Sequence, residues 1–304
     1  MHHPMHTRFD YEKRNQHETR PHFTLEVFPP KRNASVGTIY DTLDGLTGLK
    51  PDFISVTYGT GLSADRTATA RIAHTIHHEY GINAVAHLTA QYLTADDVDE
   101  ALAMFDDAHV SGILALRGDR NPDREPVNVF THASDLTAYI RQRRPDLEIL
   151  GACYPEKHPQ ASTLQEDVDN LKRKVDAGAT RLISQLFYDN DDYYRFLDLA
   201  RDAGITVPIE AGIMPVTNAK SVRRMTSMCA SRVPAPVEQM LTRWSDDPAT
   251  LQQAGIIYAS QQIADLVAHG VDGIHLYTMN RPAVARRIWT NVQDLFTADQ
   301  QPQA

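Results

Sequence analysis

Residues 148–187 read EILGACYPEKHPQASTLQEDVDNLKRKVDAGATRLISQLF. An apolar run (148–154) is followed by a charged, amphipathic segment that Ser162 opens and Gly178 closes, and then by a second apolar, β-branched run (181–187). Strand, helix, strand in this order is a βαβ unit, whose two strands lie parallel. Working outward, the alternation recurs along the chain. Further strands read at 22–28 (HFTLEVF), 52–58 (DFISVTY), 83–89 (NAVAHLT), 112–117 (GILALR), 207–213 (VPIEAGI) and 273–279 (GIHLYTM), eight in all, with helical patterns in the intervals and after the last. Asp135 before LTAYIRQ, Gly204 and Pro282 supply further start and stop chemistry.

Eight such units predict a (β/α)8 (TIM) barrel rather than a doubly wound sheet. Between strands seven and eight lie about 60 residues containing Pro234, Pro236 and Pro248, too many for one helix, so extra helices are expected there. No composition shift marks a boundary, and a single catalytic domain is expected over 21–298, between tails at 1–20 and 299–304.

Composition narrows the function. The 304 residues are 42% hydrophobic and 23% charged, which excludes a disordered or low-complexity chain. A net charge of −9 argues against nucleic-acid and membrane-surface partners. Only Cys153 and Cys229 are present, in no CxxC or CxxH pair, and the polar, His-rich start lacks a signal-peptide core, so a cytoplasmic location is expected. His2, His3 and His6 have no rigid support for a metal, and His74, His77 and His78 fall mid-helix on an expected outer face, so no metal is predicted. Met225, Met228 and Met240 read as packing in the inserted helices.

In a barrel of this kind the chemistry stands at the C-terminal ends of the strands. Strand alternation puts Thr24, Glu26 and Phe28 on one face and Phe23, Leu25 and Val27 on the other. Glu26, within an apolar run, suits a general acid working near neutral pH; the alternative is a Glu paired with a barrel Arg or Lys for structure. Strand two runs into Gly59, Gly61 and Ala64, a G-x-G-x-x-A dinucleotide pattern, but the end of the next strand lacks the acidic residue that pattern needs. His87, Arg117–Gly118–Asp119, Tyr154 with His158, and Gln185 stand at the ends of strands three to six, where Gly118 lets a ligand approach the backbone. Strand six ends in an amide and rings suited to a flat heteroaromatic ligand. In the following helix of the opening unit, Asp167, Asn170 and Lys174 fall within about 60° of one another, with Arg173 off that face. Such a face either binds a ligand or is merely solvated.

The strings LEVFPPK, VTYGTG, HLT, LALRGD, YPEKHPQA, NLKRKVDAGATRLISQLFYD, AGIMPV and HLYTMNR, in that order over about residues 23 to 290, resemble the bacterial methylenetetrahydrofolate reductase family. The resemblance implies an FAD-dependent barrel that reduces 5,10-methylenetetrahydrofolate to 5-methyltetrahydrofolate with NAD(P)H, NADH favoured. Hydride passes through flavin in a ping-pong order, and the product supplies methyl groups for methionine synthesis. It implies Glu26 as the acid that assists ring opening to an iminium ion and Asp119 as the group that stabilises the cation. Gln185 and Arg281 would contact folate alongside those two. Thr57, Tyr58, His87, Arg117, Gly118, Asp119, His132, Ala133, Tyr154, His158, Ala161, Asp167, Asn170, Arg173 and Lys174 would hold FAD. Ser221 and Met225 stand where well-known members carry a folate-contacting Gln and a ring stacking on NADH. The chain ends after the barrel, so the adenosylmethionine feedback of larger members is not expected; a homo-oligomer is.

A proline-oxidising flavin barrel would want a carboxylate-gripping arginine pair in the last helix, where only Arg286 and Arg287 stand. A folate binder without turnover would not need Glu26 and Asp119 together.

Overall fold

The structure, a computed structural model, describes residues 20–30, 37–58 and 66–297. The expected terminal tails, apart from Arg20, and the G-x-G-x-x-A turn (59–64) lie outside the described residues. Eight parallel strands, β1 (His22–Val27), β2 (Ile54–Val56), β3 (Ala84–Thr89), β4 (Gly112–Leu116), β5 (Glu148–Cys153), β6 (Arg181–Ser184), β7 (Ile209–Ile213) and β8 (Gly273–Tyr277), close into a barrel in chain order. Closure runs β1 against β8 from His22↔Gly273 to Glu26↔Tyr277. This is the (β/α)8 barrel expected from the βα alternation.

Helices α1 (Gly37–Leu46), α2 (Arg66–His78), α3 (Ala95–Asp107), α4 (Ala133–Arg143), α5 (Leu164–Asp176) and α6 (Asn190–Asp202) follow the first six strands. The expected insertion is three helices, α7 (Ala219–Cys229), α8 (Ala235–Arg243) and α9 (Pro248–Ala268), and α10 (Pro282–Val292) follows β8. Gly178 and Gly204 end α5 and α6 at φ 120° and 76°, a backbone region that a side chain disfavours. Two starts differ slightly from the sequence expectation. Thr163, not Ser162, caps α5 by accepting from the Glu166 N–H at 3.1 Å. Asp135 lies inside the first turn of α4, where its carboxylate accepts from the N–H groups of Thr131 and His132.

Strands β3 and β7 end where expected, whereas the other six stop one to three residues short, and the residues beyond the ladder become the barrel rim. Strand alternation splits the core into two shells. Phe23, Leu25 and Val27, with Ile274 and Leu276, pack outward under the helices, while Phe53, Val85, Leu114, Leu150 and Ile183 form a separate apolar cluster across β2 to β6. Helix α9 seats the segment after β6. Its Gly255 lies so close to the Val216 carbonyl that no Cβ fits, and Tyr258 Oη and Gln262 Nε2 donate to the carbonyls of Tyr188 and Phe187 at 2.5 and 3.1 Å. Met225 and Met240 pack on the apolar cluster of α7 and α8 as expected, but Met228 is 54% exposed, because Val222 and Thr226 supply the buried side of α7. Among the described residues no helix is long and apolar enough to cross a membrane.

Candidate active site

Glu26 stands on β1 at the mouth, its side chain 18% exposed. Among the described residues its carboxylate pairs with no Lys or Arg; its neighbours are two imidazoles. His87 Nε2 lies 3.4 Å and His275 Nε2 3.8 Å from Glu26 Oε2. Burial pushes the His87 imidazolium down to about 4, outweighing the nearby Glu26 carboxylate, so this ring is neutral near pH 7. His87 Nε2 is buried without a hydrogen-bond partner in the structure. The alternative reading of Glu26, a structural Glu tied to a barrel base, is realised at a different position. Glu210 on β7, fully buried, accepts from Arg181 Nη1 at 2.9 Å, and Arg181 Nε donates to Glu148 Oε1 at 2.8 Å.

The loop after β8 holds the end of β1 in place. Thr278 Oγ1 donates to the Glu26 carbonyl at 2.6 Å, and the Asn280 side chain both accepts from Phe28 N–H and donates to Phe28 O, at 3.1 and 2.8 Å. Met279 and Asn280 reach this position with φ of 52° and 51°. Tyr277 Oη crosses to the Ser184 carbonyl at 2.8 Å over Gly212, where any Cβ would meet that carbonyl and the Tyr277 ring.

The remaining predicted residues arrive at the same rim. Thr57 and Tyr58 follow β2, with the Thr57 N–H on Val27 O. Past β4, Arg117 donates to Gln160, Gly118 sits at φ 90° with Thr89 3.0 Å from where a Cβ would be, and Asp119 is exposed with no hydrogen bond or ion pair among the described residues. A polar cleft of about 340 Å³ opens beside Arg117, lined by Gln91, Arg120, Glu125 and Gln160 among others. Tyr154 meets the His158 ring edge-on at 4.7 Å. Gln185 Oε1 accepts from its neighbour's N–H at 2.8 Å. Arg281 is exposed at the start of α10, and His132, 75% exposed in its side chain, precedes Ala133 at the start of α4.

Helix α5 does not present one uniform polar face. Asp167 accepts from the His158 N–H at 2.8 Å, and burial raises its carboxyl above the usual range. Lys174 is turned inward, its ammonium on the Ala152 carbonyl at 2.5 Å and its stem against Gly151, where a Cβ would collide with it. Asn170 is half-buried and Arg173 exposed. Ala161 is buried, its carbonyl accepting from Lys157 Nζ.

Sequence reasoning missed His275, Glu210, Ser55, Thr278 and Asn280. The signal was available for the first three: each is a polar residue in an otherwise apolar strand, at the alternating positions that point into the barrel. Glu156, past β5, was also passed over; its Oε1 is buried without a partner, and burial lifts its carboxyl to about 7. The outer histidines gather a fourth, with His77 and His78 within 5.5 and 5.0 Å of the His109 ring, yet no group of three or more His, Cys, Asp or Glu among the described residues could hold a metal. Both cysteines are free thiols.

The mouth of this (β/α)8 barrel sets the Glu26 carboxyl between the His87 and His275 imidazoles, with Arg117 and Asp119 past the neighbouring β4, the strand-end placement of the barrel enzymes. Residues 11–293 match the family profile described as methylenetetrahydrofolate reductase. The chain is 38% identical over 265 residues to 5,10-methylenetetrahydrofolate reductase of Escherichia coli K12, covering 87% of this chain and 88% of that one. It is 34% identical over 287 residues to methylenetetrahydrofolate reductase (NADH) 1 of Zea mays, covering 90% of this chain but 48% of that one. A solved structure of an uncharacterized protein from Clostridium thermocellum, described as binding two copies of 5-methyl-5,6,7,8-tetrahydrofolic acid, shares the fold with a TM-score of 0.60 at 15% identity, over 92% of this chain and 96% of that one. The chain belongs to the methylenetetrahydrofolate reductase family, and is an oxidoreductase.

Proposed function

We propose that this barrel, as one catalytic domain over 21–298, reduces 5,10-methylenetetrahydrofolate to 5-methyltetrahydrofolate with FAD and NAD(P)H, NADH favoured, in a ping-pong order. Such a product would feed methionine synthesis in the cytoplasm, and the assembly would be a homo-oligomer. The observation that carries the reading is Glu26: a carboxyl at the mouth, paired among the described residues with no Lys or Arg and faced by two imidazole nitrogens. A carboxyl so placed can pass a proton to a bound ring without first breaking an ion pair to Lys or Arg.

The rim fits a flavin. The orphaned His87 Nε2 and Gln91 Oε1 are buried acceptors or donors awaiting a partner, and Gly118 offers backbone without a side chain. His87, Gly118, Thr57, Tyr58 and Tyr154 would hold the ring system. Arg117, His158, Ala161, Asp167, Asn170 and Arg173 would hold the ribose and phosphate arm, with His132 and Ala133 at its far edge, whereas Lys174, its ammonium on the Ala152 carbonyl, would have to turn out of the wall to join them. When bound, FAD supplies the hydride-carrying chemistry that no side chain offers. The protein's own contribution is orientation, one proton and charge. Glu26 protonates the folate nitrogen as its five-membered ring opens. Asp119, without an ion pair among the described residues, stabilises the iminium cation so formed. Gln185 and Arg281 anchor the folate.

The direct test is to release the cofactor by heat and read its absorbance, then add NADH anaerobically followed by the folate. Bleaching by NADH and recolouring by 5,10-methylenetetrahydrofolate, with 5-methyltetrahydrofolate as product, are expected. A colourless protein that reduces the folate without added flavin would overturn the cofactor assignment.

A further inference from the structure

Below Glu26 the barrel holds a chain of buried polar groups. Thr24 Oγ1 lies 2.6 Å from Glu210 Oε2 and 2.7 Å from His275 Nδ1, and both Glu210 and His275 are fully buried. The direction of these hydrogen bonds follows from their far end. Glu210 Oε1 is held by Arg181, whose guanidinium is always charged, so Glu210 is an acceptor only. Thr24 has a single proton, and Glu210 Oε2 receives it; the alternative acceptor, the Ile274 carbonyl, is 3.4 Å away. Thr24 Oγ1 is then left with lone pairs alone, and His275 Nδ1 has to be the donor. In the neutral ring that makes Nε2 the acceptor, and Nε2 points toward Ser55 Oγ at 3.4 Å and Glu26 Oε2 at 3.8 Å.

We infer that Glu210, acting through Thr24, fixes the tautomer of His275 so that an imidazole lone pair faces Glu26, which makes Glu210, Thr24 and His275 positioning residues for the proton that Glu26 delivers. An acceptor facing a carboxyl keeps the proton on it, whereas an N–H facing it favours the carboxylate. The other groups around this pair are the neutral His87 from β3, the Ser55 hydroxyl from β2, Tyr277 from β8 with its own proton committed to Ser184 O, and the Arg181–Glu148 pair from β6 and β5. None of them supplies a cation to Glu26.

The inference rests on the reading of Glu26 as the acid, and the experiment separates the two. Ring nitrogen-15 NMR of the flavin-loaded protein should show His275 as a neutral Nδ1–H ring. In Glu210→Gln, an amide N–H can donate to Thr24 and turn the hydroxyl toward His275 Nδ1, so the ring should switch to Nε2–H. Thr24→Val breaks the link while leaving Glu210 with Arg181, and serves should Glu210→Gln fail to fold. In both variants the alkaline limb of the folate half-reaction should move down by about half a pH unit, roughly threefold in rate on that limb, with reduction by NADH and the folate KM unchanged. Thr24→Ser should restore the wild-type profile. A His275 ring that is charged or Nε2–H in the wild type, or a Thr24→Val profile identical to wild type, overturns the inference. Wild-type folate reduction by Glu26→Gln would instead overturn the assignment of Glu26 as the acid.

Discussion

The two ends of the barrel interior contain the same kinds of residue and treat them oppositely. At the lower end Glu148, Arg181, Glu210 and Thr24 satisfy one another at 2.6–2.9 Å. At the mouth Glu26, Glu156 and Asp119 stand without ion pairs to Lys or Arg among the described residues, and His87 Nε2 and Glu156 Oε1 are buried with no hydrogen-bond partner. A buried polar group left unpaired costs roughly 1–3 kcal/mol, so the mouth retains groups whose partner arrives with the substrate or cofactor. The lower end is where a charge is tied into the fold, and the upper end is where the proposed reaction would use it.

The comparison breaks most visibly at the closed end. Arg181→Met strands Glu210 as a buried carboxylate and should cost about 3–5 kcal/mol in chemical denaturation. A loss under about 1 kcal/mol would mean that the lower network is no tighter than a surface pair. At the open end the effect should move from stability to rate. Glu26→Gln should slow the folate half-reaction about 10²-fold, near 2.7 kcal/mol of barrier, while denaturation stays within about 0.5 kcal/mol and reduction by NADH is unchanged. Equal losses in both half-reactions would place Glu26 in cofactor binding instead.

Glu156 sharpens the contrast through pH. Burial raises its carboxyl from 4.5 to about 7, so the folded state binds more protons than the unfolded state in that window. The sign follows: this contribution to stability is complete below 4.5 and is lost as pH rises toward 7. Glu156→Gln should therefore lose up to roughly 2 kcal/mol less than wild type between about pH 5 and about pH 8. Parallel curves for the two proteins would show the mouth to be wetter than its burial implies. The smallest effect is expected on α7. Met225 is half-buried at the rim, and Met225→Phe should lower the NADH KM roughly 2- to 10-fold, since an aromatic face adds about 0.5–1.5 kcal/mol beyond area burial. An unchanged KM would show that the donor is held elsewhere.

Much of the candidate site was legible because strand ends and alternation are written in the chain. Glu26, His87, Arg117, Asp119 and Tyr154 fall where a barrel puts its chemistry, and each was found from its place after an apolar run. Lys174 was not legible in the same way. Helical spacing puts it with Asp167 and Asn170, but its ammonium is committed to the Ala152 carbonyl through the gap that Gly151 leaves. Met228 failed similarly, since periodicity says that a methionine lies on a helix face and not whether anything covers it.

By itself the sequence determined the eight-fold βα alternation, the closed parallel barrel and the strand ends on which the candidate site stands, because period and punctuation are local properties of a chain. Only the tertiary structure decided which strand carboxyl is tied into an ion pair and which meets imidazoles instead. Glu26 and Glu210 read alike, each a lone acid in an apolar strand, and 184 residues separate them. What distinguishes them is that barrel closure brings Arg181 to one and two imidazoles to the other. The partners come from strands distant in sequence, and the free energy of a buried charge depends on those partners rather than on its neighbours along the chain.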